Sequence, residues 1–345
     1  MDEANSSAQV GGSRAFPRPR LEDVAARVGM STASVSLVLR NVPGPSERTR
    51  HRVLKAVAEL GYRSDRTASL LASRRSRLLG VMVDIRSPFQ AELVEHLHVA
   101  AEEVGYDLVL STQTRTRDEA AAVETLLAFR CEALILLGPV APAPVLAEFD
   151  RRVPVVAVGR RIAGADLDVV RTSDGDGVGQ TVDHLVGLGH SLIAHVDGGR
   201  GGIATDRRRG YRAAMGRHGL DAGIRILRGD GTEKGGEEAA RHFLDSGDLP
   251  TAVVAYNDQS AIGLLAAFGR AGVDVPGTMS IAGYDDDALS RLACFDLTTV
   301  SQNAEEQARQ AVAAAVERLD HGRAAPREIV LAPCLIERGS TSEVR

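Results

Sequence analysis

The twenty residues from Leu21 to Arg40, LEDVAARVGMSTASVSLVLR, leave the chain little freedom of fold. Leu21, Val24, Ala25 and Val28 recur at i, i+3, i+4 and i+7, which places them on one face of a helix. Gly29 ends that helix, and Ser31 stands where the N-cap of a second one belongs. From Thr32 to Arg40 the pattern turns Val35, Val38 and Leu39 inward and leaves Thr32, Ala33, Ser36, Leu37 and Arg40 to face outward. Two short amphipathic helices joined by a tight turn form a helix-turn-helix. Such pairs also occur in cores that never meet DNA, so the flanks matter. Asn41 to Pro45 reads as a turn, and Ser46 as the cap of a third helix. Val53, Val57 and Leu60 are its buried stripe before Gly61, so a three-helix headpiece closes by Tyr62.

The net charge of −5 conceals a strong segregation. Between Arg14 and Arg77 stand 14 Lys+Arg against 5 Asp+Glu, whereas residues 78–345 carry 27 basic and 39 acidic side chains. A basic excess concentrated on a helix-turn-helix fits phosphate contact with release of counterions better than an ordinary solvated face does. Cys131, Cys294 and Cys334 lie far apart without a CxxC, which suggests neither a disulfide framework nor a metal knuckle and fits a reducing cytosol. Residues 1–18 are polar and rich in Gly, Ser and Pro, and read as a disordered tail. No apolar run approaches the roughly 20 residues that span a bilayer.

Beyond the headpiece, SDRTASLLAS (64–73) has the length of barely two helical turns, too short to be a stable helix alone. It reads either as a linker or as a helix formed only on docking. From Leu78 onward, apolar runs of strand length alternate with helical stretches, the pattern of parallel sheets with crossover helices. One set comprises LLGVMVD, YDLVLST, EALILLGP and PVVAVGR; a second comprises DVVRTS, LIAHVDGG, IRILRGD, TAVVAYND and MSIAGYDD. Two such sets predict an α/β core of two doubly wound lobes with a cleft where strand C-terminal ends converge.

LEDVAARVGMSTASVSLVLR, TRHRVLKAVAELGY and RTASLLA, followed by DHLVGLGH, RRRGY, YNDQSAIG, SIAGYDD and LTTVSQN, together resemble the LacI/GalR (lactose-repressor) family of bacterial transcription factors from Pro19 to Gly339. The resemblance implies a headpiece over 19–63, a hinge over 64–77 and a periplasmic-binding-protein-like effector and dimerisation core over 78–340. Within the core, lobe 1 is expected over 78–160 and 301–324, and lobe 2 over 161–298 and 325–340. It also implies a cytoplasmic homodimer that grips a pseudo-palindromic double-stranded operator and answers to a small-molecule effector, sugar-like in many relatives. No leucine-repeat tail follows, which favours the dimer over a tetramer.

By motif position, the resemblance puts Thr32, Ala33 and Leu37 in the major groove and Ser31, Ser34 and Ser36 on phosphates. Arg40 is the long donor nearby. Where many relatives carry arginine this chain has Leu37, so readout there falls to apolar contact with thymine methyls. In the hinge, Leu71 would wedge a base step, with Ala68 beside it and Arg66 near the backbone. In the cleft, Arg207 would clamp the effector beside Asn257, Asp258 and Asp285. Phe89 would wall the cleft from the first lobe, and Gln302 would reach it from a crossover. Alternatives remain open at this level: Asp258 as a helix cap, Arg207 as a surface charge, Phe89 as core. PVVAVGRR ends in Gly159, Arg160 and Arg161 where many sugar-binding relatives place an aspartate, so one hydroxyl acceptor is missing.

Enzyme signatures are weak. Gly175, Gly177 and Gly179 are misplaced for GxGxxG, no Walker lysine follows, and the stretch reads as a helix start. His184, His190 and His195 lack i, i+4 spacing for a metal, and no GxSxG occurs. The expectation is a transcriptional regulator, a repressor in most of this family, with no cofactor and no metal. A periplasmic-type binding protein without a DNA role is the alternative.

Overall fold

The computed structural model describes residues 19–39, 42–62, 75–164 and 166–344, which divide into two units at Arg75 and Ser76. The first unit holds three helices: α1 (Leu21–Val28), α2 (Thr32–Leu39) and α3 (Glu47–Leu60). Gly29 and Gly61 terminate α1 and α3 at φ 63°, in the left-handed conformation that glycine adopts without a Cβ penalty. Ser31 Oγ accepts the Ser34 amide at 3.2 Å, and Ser46 Oγ accepts the Thr49 amide at 3.3 Å, so both serines cap as the spacing predicts. Val24, Val35, Val38 and Val53 form the buried centre, with Leu21, Leu39, Val57 and Leu60 packed around it.

The second unit begins with β1 (Leu78–Asp84), α4 (Pro88–Glu103), β2 (Asp107–Gln113), α5 (Glu119–Ala128), β3 (Ala133–Leu137), α6 (Ala143–Arg152), β4 (Val155–Val158) and β5 (Asp168–Thr172). These strands, with β11 (Glu328–Leu331), form one parallel sheet in the order β11-β5-β4-β3-β1-β2. Helix α4 and a later helix, α11 (Ala304–Asp320), cover one face through Leu93, Leu97, Ala308, Ala311 and Val312 against Leu79, Val81 and Ile135. The second lobe contains α7 (Asp174–Gly187), β6 (Ile193–Val196), α8 (Gly202–Arg217), β7 (Arg225–Leu227), α9 (Glu233–Ser246), β8 (Ala252–Ala255), α10 (Asp258–Arg270) and β9 (Ser280–Ala282). Its parallel sheet runs β7-β6-β8-β9. Tyr211, Met215 and Val182 fill one face; Phe243, Leu264 and Phe268 fill the other.

Two strands depart from expectation. Asp168–Thr172, read with the second set, pairs Val156 to Val158 of β4, and Glu328–Leu331, expected in lobe 2, pairs β5. The first sheet therefore extends past 160 and regains the chain near its C-terminus. Both runs are short and apolar enough for either sheet; only non-local pairing selects one. The expected return at LTTVSQN does occur: β10 (Thr299–Ser301) leads into α11, and β12 (Cys334–Ile336) lies antiparallel to β10.

The chain thus passes between lobes three times, and the crossings are bound side by side. Thr172 Oγ1 donates to the Gln302 carbonyl at 3.1 Å, Gln307 Nε2 donates to that carbonyl at 2.9 Å, and the Ser173 amide donates to Leu331 O at 3.0 Å. No helix among the described residues is long and apolar enough to cross a membrane.

Candidate DNA-reading surface and effector cleft

The N-cap at Ser31 orients α2 so that its inner stripe, Val35 and Val38, is 0% and 3% exposed, while Leu37 between them is 37% exposed. Ser31, Thr32 and Ala33 are exposed, and Ser34 and Ser36 are half-buried. Ser31 Oγ also lies 2.9 Å from Ser34 Oγ, so both hydroxyls are oriented by the cap. The outward positions of α2 among the described residues thus carry small hydroxyl and apolar side chains. Arg40, Arg66, Ala68 and Leu71 lie outside the described residues.

In the core, the strands' C-terminal ends carry a cluster around Arg207, which is 3% exposed on α8. Its Nε donates to Asp174 Oδ1 at 2.8 Å, its Nη2 lies 3.5 Å from Asp285 Oδ1, and its Nη1 donates to the Tyr256 carbonyl. The guanidinium stacks 3.6 Å from the Tyr284 ring centroid and 4.7 Å from that of Tyr256. Arg207 is therefore no surface charge. Burial pushes Asp285 up to about 7; Arg207 and the Gln302 hydrogen bond pull it back, and Asp287 and Asp174 add to the rise. Burial likewise raises the Asp174 carboxyl, opposed by Arg207.

Gln302, 5% exposed, donates through Nε2 to Asp285 Oδ1 at 2.7 Å, so Arg207, Asp285 and Gln302 form one connected set. Asn257 and Asp258 serve the framework behind it. Asn257 caps α10, accepting the Ser260 amide at 2.9 Å and donating to Gly231 O at 2.9 Å. Asp258 is fully buried; its oxygens accept Thr299 Oγ1 at 2.5 Å and the Asp287 amide at 2.9 Å. The cap is thus Asn257, not Asp258. Phe89 is half-buried at the start of α4 against the first lobe's core, so it belongs partly to that core.

Across the gap the lobes touch at several points. Gln259 Nε2 donates to Arg86 O at 3.3 Å, Arg291 Nη2 reaches Glu92 Oε1 at 3.2 Å, and Ile203 packs beside Gly159. Asp174, Tyr256 and Tyr284 escape the motif reading, although the tyrosines stand inside YNDQ and GYDD. A buried arginine demands a counter-ion, but Asp174 lies 33 residues from it in sequence. The Gly175, Gly177 and Gly179 stretch is the first turns of α7. A Cβ on Gly210 would stand 2.5 Å from Gly175 O, so these glycines allow α7 and α8 to meet backbone to backbone.

A helix-turn-helix joined to two parallel-sheet lobes around a buried, hydrogen-bonding cleft defines a class: DNA-binding regulators with an effector core. Comparison agrees. The profile of bacterial regulatory proteins of the lacI family matches residues 20–65, and that of the periplasmic binding protein-like domain matches residues 182–341. The chain is 32% identical over 327 residues to the HTH-type transcriptional regulator GalR of Escherichia coli (strain K12), covering 93% of this chain and 95% of that protein. A LacI transcriptional regulator from a Rhodococcus species superposes with a TM-score of 0.75 at 42% identity, over 77% of this chain and 99% of its own. The lac repressor dimer bound to operator and the anti-inducer ONPF superposes with a TM-score of 0.82 at 28% identity, over 94% of this chain and 100% of its own. The chain belongs to the LacI family of bacterial regulatory proteins and is a DNA-binding transcriptional regulator. These relatives are regulators rather than enzymes, and the similarity includes the headpiece, so the reading as a binding protein without a DNA role falls away.

Proposed function

We propose that this protein is a cytoplasmic, homodimeric repressor whose paired headpieces hold a pseudo-palindromic operator and whose cleft binds a small hydroxyl-bearing effector. The observation that carries the reading is the Arg207–Asp285–Gln302 set, built into the strand ends of a core attached to a basic helix-turn-helix. Guanidinium, carboxylate and carboxamide offer the donors and acceptors that a hydroxyl-rich ligand needs. Phe89 supplies an apolar wall, and Thr32, Ala33 and Leu37 supply the groove-facing surface, with Ser31, Ser34, Ser36 and Arg40 toward the phosphates. Residues 64–77, with Arg66, Ala68 and Leu71, serve as the hinge. The lac repressor's capture as a dimer on operator with a small ligand supports the same partners here.

Ligand in the cleft changes the relative pose of the two first lobes across the dimer, and that change alters operator affinity. Coupling between two binding sites is reciprocal, so operator must change effector affinity by the same factor. The test is fluorescence anisotropy with random-sequence duplexes at two salt concentrations, with sugars and nucleobases added in turn. Selected inverted repeats whose affinity one compound shifts are the expected result. Weak, salt-sensitive binding indifferent to sequence refutes the reading.

A further inference from the structure

The loop after β9 brings Asp285 to the cleft and, by Arg291, touches the first lobe. Asp285 and Asp286 both hold left-handed backbone, at φ 115° and 54°. A residue other than glycine keeps such a conformation only where its surroundings impose it, and such residues gather at sites that switch. Here the Asp285 amide donates to Val300 O at 2.8 Å, and its carboxylate accepts Gln302 and faces Arg207. Asp286 makes a separate set of contacts. Its Oδ1 accepts from Nη2 of Arg338, whose Nη1 donates to Leu297 O at 2.7 Å within the second lobe. Its carbonyl accepts from Arg291 Nη2 at 2.6 Å.

The same Arg291 nitrogen lies 3.2 Å from Glu92 Oε1 on α4, so one guanidinium joins the backbone next to Asp285 to a helix of the first lobe. Among the described residues this is the ion pair that bridges the lobes. Burial pulls Arg291 down, but Asp286 and Glu92 outweigh it and hold the guanidinium above its ordinary value. A second, neutral contact reaches the turn before α4. Gln259 Nε2 donates to Arg86 O at 3.3 Å, and Arg86 grips Asp84 through Nε at 2.9 Å and Nη2 at 2.6 Å. The segment from Arg86 to Glu92 is thus held by the second lobe at both ends, once by charge.

We propose that Arg291 and Glu92 form a latch between the lobes, seated by the strained Asp285-Asp286 pair, that sets the pose of the first lobe and through it operator affinity. This rests on the regulator reading above. Arg291 is a positioning residue: it acts through Glu92 and Asp286, while Arg207, Asp285 and Gln302 meet the effector. Because Asp285 and Asp286 are consecutive, a ligand that draws the first carboxylate also moves the carbonyl that holds Arg291.

The test is a double-mutant cycle of Glu92→Gln, Arg291→Gln and the two together in the full chain, without effector. Arg270→Gln, which removes an exposed pair with Glu237 inside the second lobe, is the control. Operator affinity is read by anisotropy on an inverted repeat selected from random duplexes, and amide exchange by mass spectrometry over 85–95 and 284–296. Each single variant is expected to shift operator affinity about two- to fivefold in the same direction, the share of a partly exposed ion pair, and to speed exchange in both segments by a similar factor. The double variant shifts no further than either single one, and the control shifts neither quantity. Unchanged affinity and exchange in both single variants, or additive shifts in the double, overturn the latch. Faster exchange without any change in operator affinity confines the pair to a structural role and overturns the proposal as well. A parent that selects no operator sequence refutes the regulator reading instead, and amide exchange then still decides whether the latch exists.

Discussion

Replacing Arg207 with methionine separates a clamp that merely waits for ligand from one that also holds the second lobe together. Arg207 and Asp174 are 3% and 5% exposed as side chains and meet at 2.8 Å, with Asp285 at 3.5 Å. Methionine keeps the apolar stem against Tyr256 and Tyr284 but leaves two carboxylates in a dry pocket without a cation. Removing one partner of a buried pair costs about 3–5 kcal/mol, which for a unit of this size lowers the thermal midpoint on the order of 10 °C. The pH dependence distinguishes this cause from simple loss of packing. Both carboxyls already sit above their ordinary values, Asp285 at about 7, and losing Arg207 raises them further. A carboxyl raised in the folded state contributes stability below its unfolded pKa, near 3.9, and loses it as pH climbs through the folded value. Arg207→Met is therefore most destabilised at pH 8 and least near pH 4.5. Urea unfolding of the parent, Arg207→Met, Asp174→Asn and the double variant at both pH values measures it. The double variant recovers much of the loss at pH 8. A penalty below about 1 kcal/mol, equal at both pH values or untouched by Asp174→Asn, refutes the buried-pair argument.

Three further outcomes follow from particular contacts. Asp285→Asn keeps an acceptor for Gln302 but removes the titration. The parent should lose up to about 1.4 kcal/mol of stability per pH unit between roughly pH 4 and 7 through this group, and the variant should lack that slope in denaturant titrations across the window. Gly210→Ala drives a methyl into the backbone at Gly175 and is expected to destabilise the second lobe by about 1–3 kcal/mol, read by urea unfolding; a neutral change contradicts the close crossing of α7 and α8. Leu37→Ala leaves the headpiece stable within about 0.5 kcal/mol by thermal circular dichroism, because Leu37 points outward, yet weakens operator binding in anisotropy; unchanged operator affinity removes Leu37 from the reading face.

The local elements were legible because their signals are local. Helix-period apolar residues, Ser31 and Ser46 as caps, and Gly29 and Gly61 as stops define the headpiece within some forty consecutive residues, and the structure caps α2 and α3 at those serines and ends α1 and α3 at those glycines. Strand-length apolar runs with intervening helices likewise announce two α/β lobes. The family motifs point to Arg207, Asp285 and Gln302 individually, and these meet in the folded chain. Asn257 and Asp258 carry the same kind of motif signal. Hydrogen bonds to Gly231, Ser260, Asp287 and Thr299, partners as many as 41 residues away, turn them to support instead.

By itself, then, the sequence determined the classes of element, their order, the basic headpiece and the residue types available to the cleft, all properties of neighbouring residues and of composition. Tertiary structure alone decided that Asp168–Thr172 and Glu328–Leu331 join the first sheet, since an apolar run of five residues can pair with either. It alone brought Asp174 to Arg207 and Arg291 to Glu92. A buried charge finds its partner through packing of distant segments, and no spacing along the chain records that distance.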